Sequence, residues 1–187
     1  MHELRIGLPA WIDGAIDWAR LYGTDQEKIG LAIRLSHENV ERETGGPFGS
    51  AVFEMTTGRL VAVGVNSVLR LRNSVLHGEI VALMLAHDRR QSFTLAGATL
   101  PAHELVTSCE PCAMCLGAAL WSGVKRIVFG AERRDAEQLG FDEGPVFPES
   151  YRYLRDRGID IVGGISREDA RAVLLRYRER GGAVYNA

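Results

Sequence analysis

Residues 104–121 read Glu-Leu-Val-Thr-Ser-Cys-Glu-Pro-Cys-Ala-Met-Cys-Leu-Gly-Ala-Ala-Leu-Trp, which is a short strand pattern followed by a helix with little polar surface. Residues 80–86 are also apolar nearly all round. A helix that is apolar on every side is a buried helix. These two helices alternate with strand-like segments at 104–108 and 125–130, so the sequence predicts an α/β protein whose sheet is covered on both faces.

The sequence on either side of this stretch supplies the remaining elements. Thr24 with Glu27 forms a capping-box pattern, which predicts the start of a helix, and we expect Gly45-Gly46 to end it. A hairpin is predicted from two apolar runs separated by a turn at 56–59, and a loop follows at 67–76. The other predicted elements are hairpin strands 50–55 and 60–66, helices 132–138, 148–157 and 166–180, an edge strand at 159–162 and a short amphipathic helix within 11–18.

Composition sets the general class of the protein. The 187 residues are 46% hydrophobic and 25% charged, with a net charge of -2, which is ordinary for one globular domain. We expect an extension at 1–23, a core at 25–145 and a C-terminal segment at 146–187. The charge gives no overall basic field for a nucleic-acid partner, and no apolar run is long enough to span a membrane. Three cysteines packed into residues 109–115 do not make a disulfide framework, so the sequence predicts a cytoplasmic protein with thiolate ligands.

One imidazole, two thiols and one carboxylate form a pattern typical of a catalytic zinc site. His77, Cys112 and Cys115 are the predicted ligands of one Zn²⁺ per subunit, and a catalytic site keeps its fourth position open for water. Two cysteines three residues apart at a helix start face the same side, where the helix dipole favours thiolates. Glu79, two residues after the histidine, is predicted to move protons rather than bind the metal.

Three other interpretations of these residues are open from the sequence. An iron–sulfur cluster would use Cys109 with the other two cysteines, but such clusters usually need a fourth cysteine. A closed structural zinc site would take Cys109 or His103 as its fourth ligand. The cysteines could also be plain core residues beside an N-capping histidine. Glu79 favours the catalytic interpretation, because a structural site has no use for an acid there.

The pattern His-x-Glu…Pro-Cys-x-x-Cys resembles the signature of the cytidine deaminase-like superfamily. Within it, the chain resembles the bacterial zinc-dependent guanine deaminases over roughly residues 25–145. The residues that carry this further resemblance are Gly45-Gly46-Pro47-Phe48, Ser108 to Cys115, Trp121 and Gly140-Phe141-Asp142-Glu143. Ile6-Gly7-Leu8-Pro9 and Val184-Tyr185-Asn186 are similar to the ends of a subgroup that also accepts ammeline.

The resemblance implies a three-layer αβα fold with a five-stranded mixed sheet, in a homodimer whose C-terminal segment crosses to the partner. It also implies a set of roles in the pocket. Phe48 stacks on the base, Asn66 binds its edge, the backbone at Gly78 holds another edge, Trp121 lines the pocket, Tyr185 belongs to a lid and Glu143 is a second catalytic carboxylate. The family more often has alanine where this chain has Gly78, and we expect the missing methyl to enlarge the pocket.

The implied activity is that of a hydrolase acting on C–N bonds of cyclic amidines, which converts guanine, a small-molecule nucleobase, into xanthine and ammonia. Deamination of ammeline, cytosine or cytidine is the alternative within the same class. Deamination of tRNA adenosine is less expected, because the chain shows no aromatic and basic groove. A zinc-stabilised scaffold or binding protein is the alternative from a different class.

Overall fold

The computed structural model describes residues 5–186, so predictions for residues 1–4 and 187 lie outside the described part of the chain. Its elements follow the predicted order closely. The strands are β1 (Gly49–Glu54), β2 (Leu60–Val65), β3 (His103–Cys109), β4 (Arg126–Ala131) and β5 (Asp160–Val162). The helices are α1 (Trp11–Ala15), α2 (Asp25–Glu41), α3 (Val68–Leu71), α4 (Gly78–Arg90), α5 (Ala113–Ser122), α6 (Arg133–Glu137), α7 (Pro148–Asp156) and α8 (Arg167–Glu179).

The five strands form one mixed sheet in the order β2-β1-β3-β4-β5. β1 is antiparallel to both β2 and β3, whereas β3, β4 and β5 are parallel. The parallel pairs need crossover connections, which α5 and α7 supply. The predicted α/β fold with a five-stranded mixed sheet is confirmed.

Side chains alternate across the sheet and divide the core into two layers. Leu105 and Ile127 pack on one face with apolar residues of α4 and α5. Their neighbours Val106 and Val128 pack on the other face with α2. This period of two is what a strand imposes, and it sets α4 and α5 against one face of the sheet and α2 against the other.

Three local predictions were wrong. α2 has the predicted capping box at Thr24 and Glu27 but ends at Glu41, short of Gly45-Gly46. Glu43 adopts a left-handed backbone conformation at φ 55°, so the chain turns before the glycines. The predicted loop at 67–76 contains the short helix α3, and α1 ends at Ala15 rather than running to residue 18.

The C-terminal residues return to the carboxyl end of the sheet of their own chain. Asn186 donates its side-chain Nδ2 to the carbonyl oxygen of Asp142 at 2.7 Å, and the Asp142 amide donates to the Asn186 carbonyl at 3.2 Å. Tyr185 packs edge-on against Phe141, with ring centroids 5.3 Å apart. Within residues 5–186, no helix has the length and apolar character needed to cross a membrane.

Candidate metal centre and active site

Two helix N-termini meet at one point below the C-terminal tail. His77 is the N-cap residue of α4, and Cys112 is the N-cap residue of α5. Cys115 lies in the first turn of α5, on the same side as Cys112. His77 Nδ1 is 3.6 Å from Cys112 Sγ and 3.7 Å from Cys115 Sγ. The predicted ligand atoms therefore converge, and all lie within 4.8 Å of one another.

The spacing of these three atoms fits a tetrahedral zinc ion. Zn–S bonds of about 2.3 Å and Zn–N bonds of about 2.0 Å place tetrahedral ligand atoms about 3.5 Å apart for an N–S pair. The observed distances of 3.6 and 3.7 Å agree with that value. The donor set of one imidazole and two thiols is also one that zinc prefers. His77, Cys112 and Cys115 thus fit the predicted ion.

The electrostatics of the cluster favour a thiolate. The hydrogen bond from Cys115 and the neighbouring His77 lower the pKa of Cys112 to about 4, although burial opposes this. Burial alone would lower the pKa of His77, but its hydrogen bond to Cys112 and the charge of Glu79 raise it. The positive ends of the α4 and α5 helix dipoles also favour the thiolate form of the sulfurs.

Two buried carboxylates flank the ligand cluster. Burial raises the pKa of Glu79 to about 7, and the Cys112 thiolate adds to the effect. Burial, followed by the charges of Cys112 and Glu79, raises the pKa of Glu143 to about 8. The backbone holds Glu143 in place, because the Ala113 amide at the start of α5 donates to the Glu143 carbonyl oxygen at 2.9 Å. Burial is the main cause of the raised pKa in both groups.

The cavity at this point is nearly filled. Its volume is about 10 Å³, which is room for about one water molecule. The residues that line it are Phe48, His77, Glu79, Glu110, Cys112, Glu143, Tyr185 and Asn186. The Phe48 ring is packed edge-on against Phe141, with centroids 5.2 Å apart. A nucleobase cannot enter while Tyr185 and Asn186 lie as they do.

Asn66 lies beside the cavity, fully buried, rather than in its lining. Its Oδ1 accepts from the amides of Gly46 at 3.4 Å and Val68 at 3.3 Å. A backbone N–H group can only donate, so these two hydrogen bonds identify which end of the Asn66 side chain is the oxygen. Asn66 Nδ2 has no partner among residues 5–186, and neither do Tyr185 Oη and Asn186 Oδ1. Leaving buried polar atoms unpaired costs free energy, so we expect water or a ligand to pair with these three atoms.

Trp121 is a correction to the sequence prediction. It lies in the last turn of α5, about 13 Å along the helix from Cys112, and its side chain is 80% exposed. It does not line the cavity of its own chain. The apolar pattern of α5 could not distinguish a residue beside the pocket from one at the far end of the same helix.

The expected effect of Gly78 on the size of the pocket is a second correction. A Cβ at this position would lie 3.2 Å from both the Phe48 carbonyl oxygen and Ser50 Oγ. It would therefore point at the ends of β1 and β2, and its absence permits close packing there rather than enlarging the pocket.

The structure separates the other candidate ligands from the cluster. Cys109 ends β3, and its Sγ lies 3.9 Å from the Glu132 carbonyl oxygen. Burial raises the pKa of this thiol, as expected of a neutral core cysteine. His103 begins the same strand, about 20 Å away from Cys109. Neither belongs to the metal-binding group that residues 5–186 form, which excludes both as a fourth ligand.

Two residues of the cavity had no role in the sequence prediction. Glu110 accepts hydrogen bonds from the hydroxyl group of Tyr151 and from the amide of Arg133. Asn186 ties the tail to the loop that carries Glu143. Glu110 could have been found from the sequence, because it is an acid directly before Pro111-Cys112. For Asn186 the resemblance of the chain end was the signal, and it did not indicate the partner, which lies 44 positions earlier in the chain.

The sequence of residues 23–131 matches the family described as the cytidine and deoxycytidylate deaminase zinc-binding region, and this match covers more than half of the chain. The chain belongs to this deaminase family. The guanine deaminase of Bacillus subtilis is 34% identical to it over 128 residues, which are 68% of this chain and 78% of the relative. The predictions of the superfamily, of a C–N hydrolase and of zinc as cofactor are confirmed by this match and by the ligand cluster.

Similarity to solved structures covers nearly the whole of this chain. A guanine deaminase from Nitrosomonas europaea is 41% identical with a TM-score of 0.90, and the match covers 95% of this chain and 97% of that chain. A structure of the protein NE0047 in complex with 2,6-diaminopurine is also 41% identical with a TM-score of 0.90, over 97% and 96% of the two chains.

Proposed function

We propose that this deaminase removes the 2-amino group of guanine by hydrolysis and releases xanthine and ammonia. The similarity to two guanine deaminases and to a protein bound to a diaminopurine supports guanine as substrate. The observation that carries the reaction type is the pair of buried carboxylates, Glu79 and Glu143, beside the three ligand atoms.

Zinc held by His77, Cys112 and Cys115 activates water and polarises the reacting centre when it is bound. The protein residues manage the protons of the reaction. Glu79 takes a proton from the attacking water and passes it to a ring nitrogen next to C2 of guanine. The second hydrogen of that water then reaches the amine through Glu143 or Glu79, and the C2–N bond breaks, so that ammonia leaves and C2 keeps the oxygen as a carbonyl. A carboxyl group with a pKa near neutrality suits both transfers.

The base is held by residues of three segments. Phe48 stacks on the purine ring, the unpaired Nδ2 of Asn66 donates to an acceptor on its edge, and the backbone at Gly78 holds another edge. The Tyr185 ring covers the opposite side. Since the closed cavity measures only about 10 Å³, Tyr185 and Asn186 have to move aside before the base enters and then return to exclude water.

Ammonia release tests the substrate. We expect zinc-loaded protein to convert guanine to xanthine, with slower or no release from ammeline, cytosine, cytidine and adenosine. A site built to hydrogen-bond one base rejects analogues that leave its polar groups unpaired. Ammonia release from ammeline or cytosine but not from guanine would show that guanine is not the substrate. Release from none of the compounds would favour the scaffold interpretation.

We also propose a homodimer formed through α5. This helix carries no charged residue, and Trp121 at its end is 80% exposed, with Met84 of α4 also exposed. Contiguous exposed apolar surface marks interaction sites, and we infer that these two side chains belong to one such surface. A second copy buries it in the proposed dimer, and the C-terminal segment remains a candidate for exchange between copies.

Sedimentation of the Trp121→Ser variant tests the dimer. We expect it to shift the protein toward monomer, whereas Leu21→Ser, which removes another exposed apolar side chain, leaves the dimer intact. Equal behaviour of the two variants would contradict this surface. We also infer a cytoplasmic location, because a reducing compartment keeps Cys112 and Cys115 available as ligands.

A further inference from the structure

A chain of hydrogen bonds links the N-terminal segment to the substrate pocket. Trp11 of α1 donates its Nε1 hydrogen to Thr44 Oγ1 at 3.0 Å. Thr44 Oγ1 donates to Asn39 Oδ1 at 2.7 Å. Asn39 Nδ2 then donates to two backbone carbonyls, those of Gly46 at 2.9 Å and Asn66 at 3.0 Å.

We propose that Asn39 is a positioning residue for the substrate pocket, and that Thr44 and Trp11 orient its amide. The proposal rests on the proposed function, in which Asn66 contacts the base. It also gives the short N-terminal helix a role that neither the sequence pattern nor the reaction required.

The amide of Asn39 is held in one orientation. The side chain is fully buried, and its oxygen and its nitrogen both have partners. The two backbone carbonyls at one end of this amide can only accept, so that end is Nδ2 and the end beside Thr44 is Oδ1. The Thr44 hydroxyl accepts from the indole of Trp11 and donates its own hydrogen to Asn39 Oδ1.

Those two carbonyls belong to segments 20 residues apart in the sequence, which also meet where the Asn66 amide donates to the Phe48 carbonyl oxygen at 2.9 Å. Gly46 precedes β1, and Asn66 follows β2. A methyl group at Gly45 would lie only 2.7 Å from Asn39 Nδ2 and would overlap the Asn66 backbone, so the segments are packed with no spare room. The single NH₂ group of Asn39 joins them at this point.

The position of Gly46 in turn affects both candidate base contacts. Its amide donates to Asn66 Oδ1 at 3.4 Å, and its missing side chain leaves the space in which the Tyr185 ring lies. A small shift of this turn would move Asn66 Nδ2 and the Tyr185 ring together. Misplacement of a binding group by about 1 Å can cost about a hundredfold in rate, and supporting residues behind the site prevent it.

Thr44→Val is the most informative variant, because it keeps the shape of the side chain and removes only the hydroxyl that orients Asn39. We expect the KM for guanine to rise about tenfold, with kcat within about threefold and the zinc content unchanged. Asn39→Asp turns an oxygen toward the two carbonyls and should raise KM further. Trp11→Phe removes the indole donor together with part of the ring, leaves the Thr44–Asn39 bond in place, and should have the smallest effect.

A double-mutant cycle separates positioning from plain destabilisation. In an Asn66→Ala background, Thr44→Val should change the KM no further, because the group that it positions is gone. Ser122→Ala is the matched control, since it removes another buried hydroxyl, one that bonds Ala119, and it should leave the KM unchanged. A tenfold rise that persists in the Asn66→Ala background would overturn the proposal, as would an unchanged KM in Thr44→Val.

Amide hydrogen exchange tests the same link without turnover. Peptides that cover 45–48 and 66–68 should exchange faster in Thr44→Val than in the wild type or Ser122→Ala. If the wild type does not deaminate guanine, the proposed function fails, and the exchange data still decide whether Asn39 fixes these two segments. Unchanged exchange in both peptides would overturn the proposal.

Discussion

The two ends of β3 differ in how completely their buried charged and polar groups are paired. At its start, Glu104 is 1% exposed, and both oxygens are paired, one with Lys28 at 2.5 Å and the other with Arg126 at 3.0 Å. Arg126 also holds Asp25 through two hydrogen bonds of 2.7 Å. Burying a charge is tolerable when it is paired in this way.

Past the other end of β3, the polar groups are less well paired. Glu79 and Glu143 have raised pKa values, and Asn66 Nδ2 and Tyr185 Oη have no partner within residues 5–186. One end of the sheet thus carries a network of paired charges. The other end carries a site in which some buried polar atoms are unpaired. Changes at the first end should lower stability, and changes at the second should lower activity.

Glu79→Gln should have the largest effect. The amide keeps the shape but cannot carry the proton, so we expect kcat to fall by about a thousandfold. The zinc content, measured by atomic absorption, and the melting temperature should stay close to those of the wild type. Turnover near the wild-type rate in a folded, zinc-loaded variant would end the proposed mechanism.

Lys28→Met should act on stability alone. It leaves the buried Glu104 with one cation instead of two, and breaking a buried pair costs about 3 kcal/mol. Urea unfolding should show this loss, while kcat/KM of the folded fraction is unchanged. Arg20→Met is the matched control, because its ion pair with Glu27 is 49% and 39% exposed, and little change is expected. A loss of activity in Lys28→Met would show that the two ends are coupled.

Asp25→Asn should produce a smaller, pH-dependent loss. The hydrogen bonds from Arg126 lower the pKa of Asp25, so its ionised form stabilises the fold above the unfolded pKa of about 3.9. That contribution, about 1.5 kcal/mol for a hydrogen bond to a charged group, is lost as the pH falls through the lower folded pKa. The unfolding free energies of wild type and variant should differ by a constant amount between about pH 5 and 8 and converge below about pH 4. A gap that widens on acidification would contradict this sign.

Gly46→Ala should have the smallest effect of the four, and only on activity. The added methyl would overlap the Tyr185 hydroxyl and lie 2.9 Å from its Cε1 atom, so the tail should close less well. We expect a rise in KM of at most about tenfold. Combining the change with Tyr185→Ala should add nothing further, and an additive result would mean that Gly46 acts elsewhere.

Most of the site was predictable from short-range patterns. His77, Cys112 and Cys115 lie where a helix begins, and their spacing alone places the two sulfurs on one side of a turn. The strands and both buried helices followed from period and composition. The position of the C-terminal tail was expected only from a resemblance, and nothing in its own residues indicated that Asn186 would bond Asp142.

The sequence by itself determined which side chains could bind zinc, because ligand type and helix-start geometry are local properties. Only the tertiary structure decided that two N-termini converge, that Trp121 faces outward and that Asn39 joins Gly46 to Asn66. Those contacts connect segments 20 or more residues apart. Their formation depends on how the layers pack around the sheet, which no local pattern encodes.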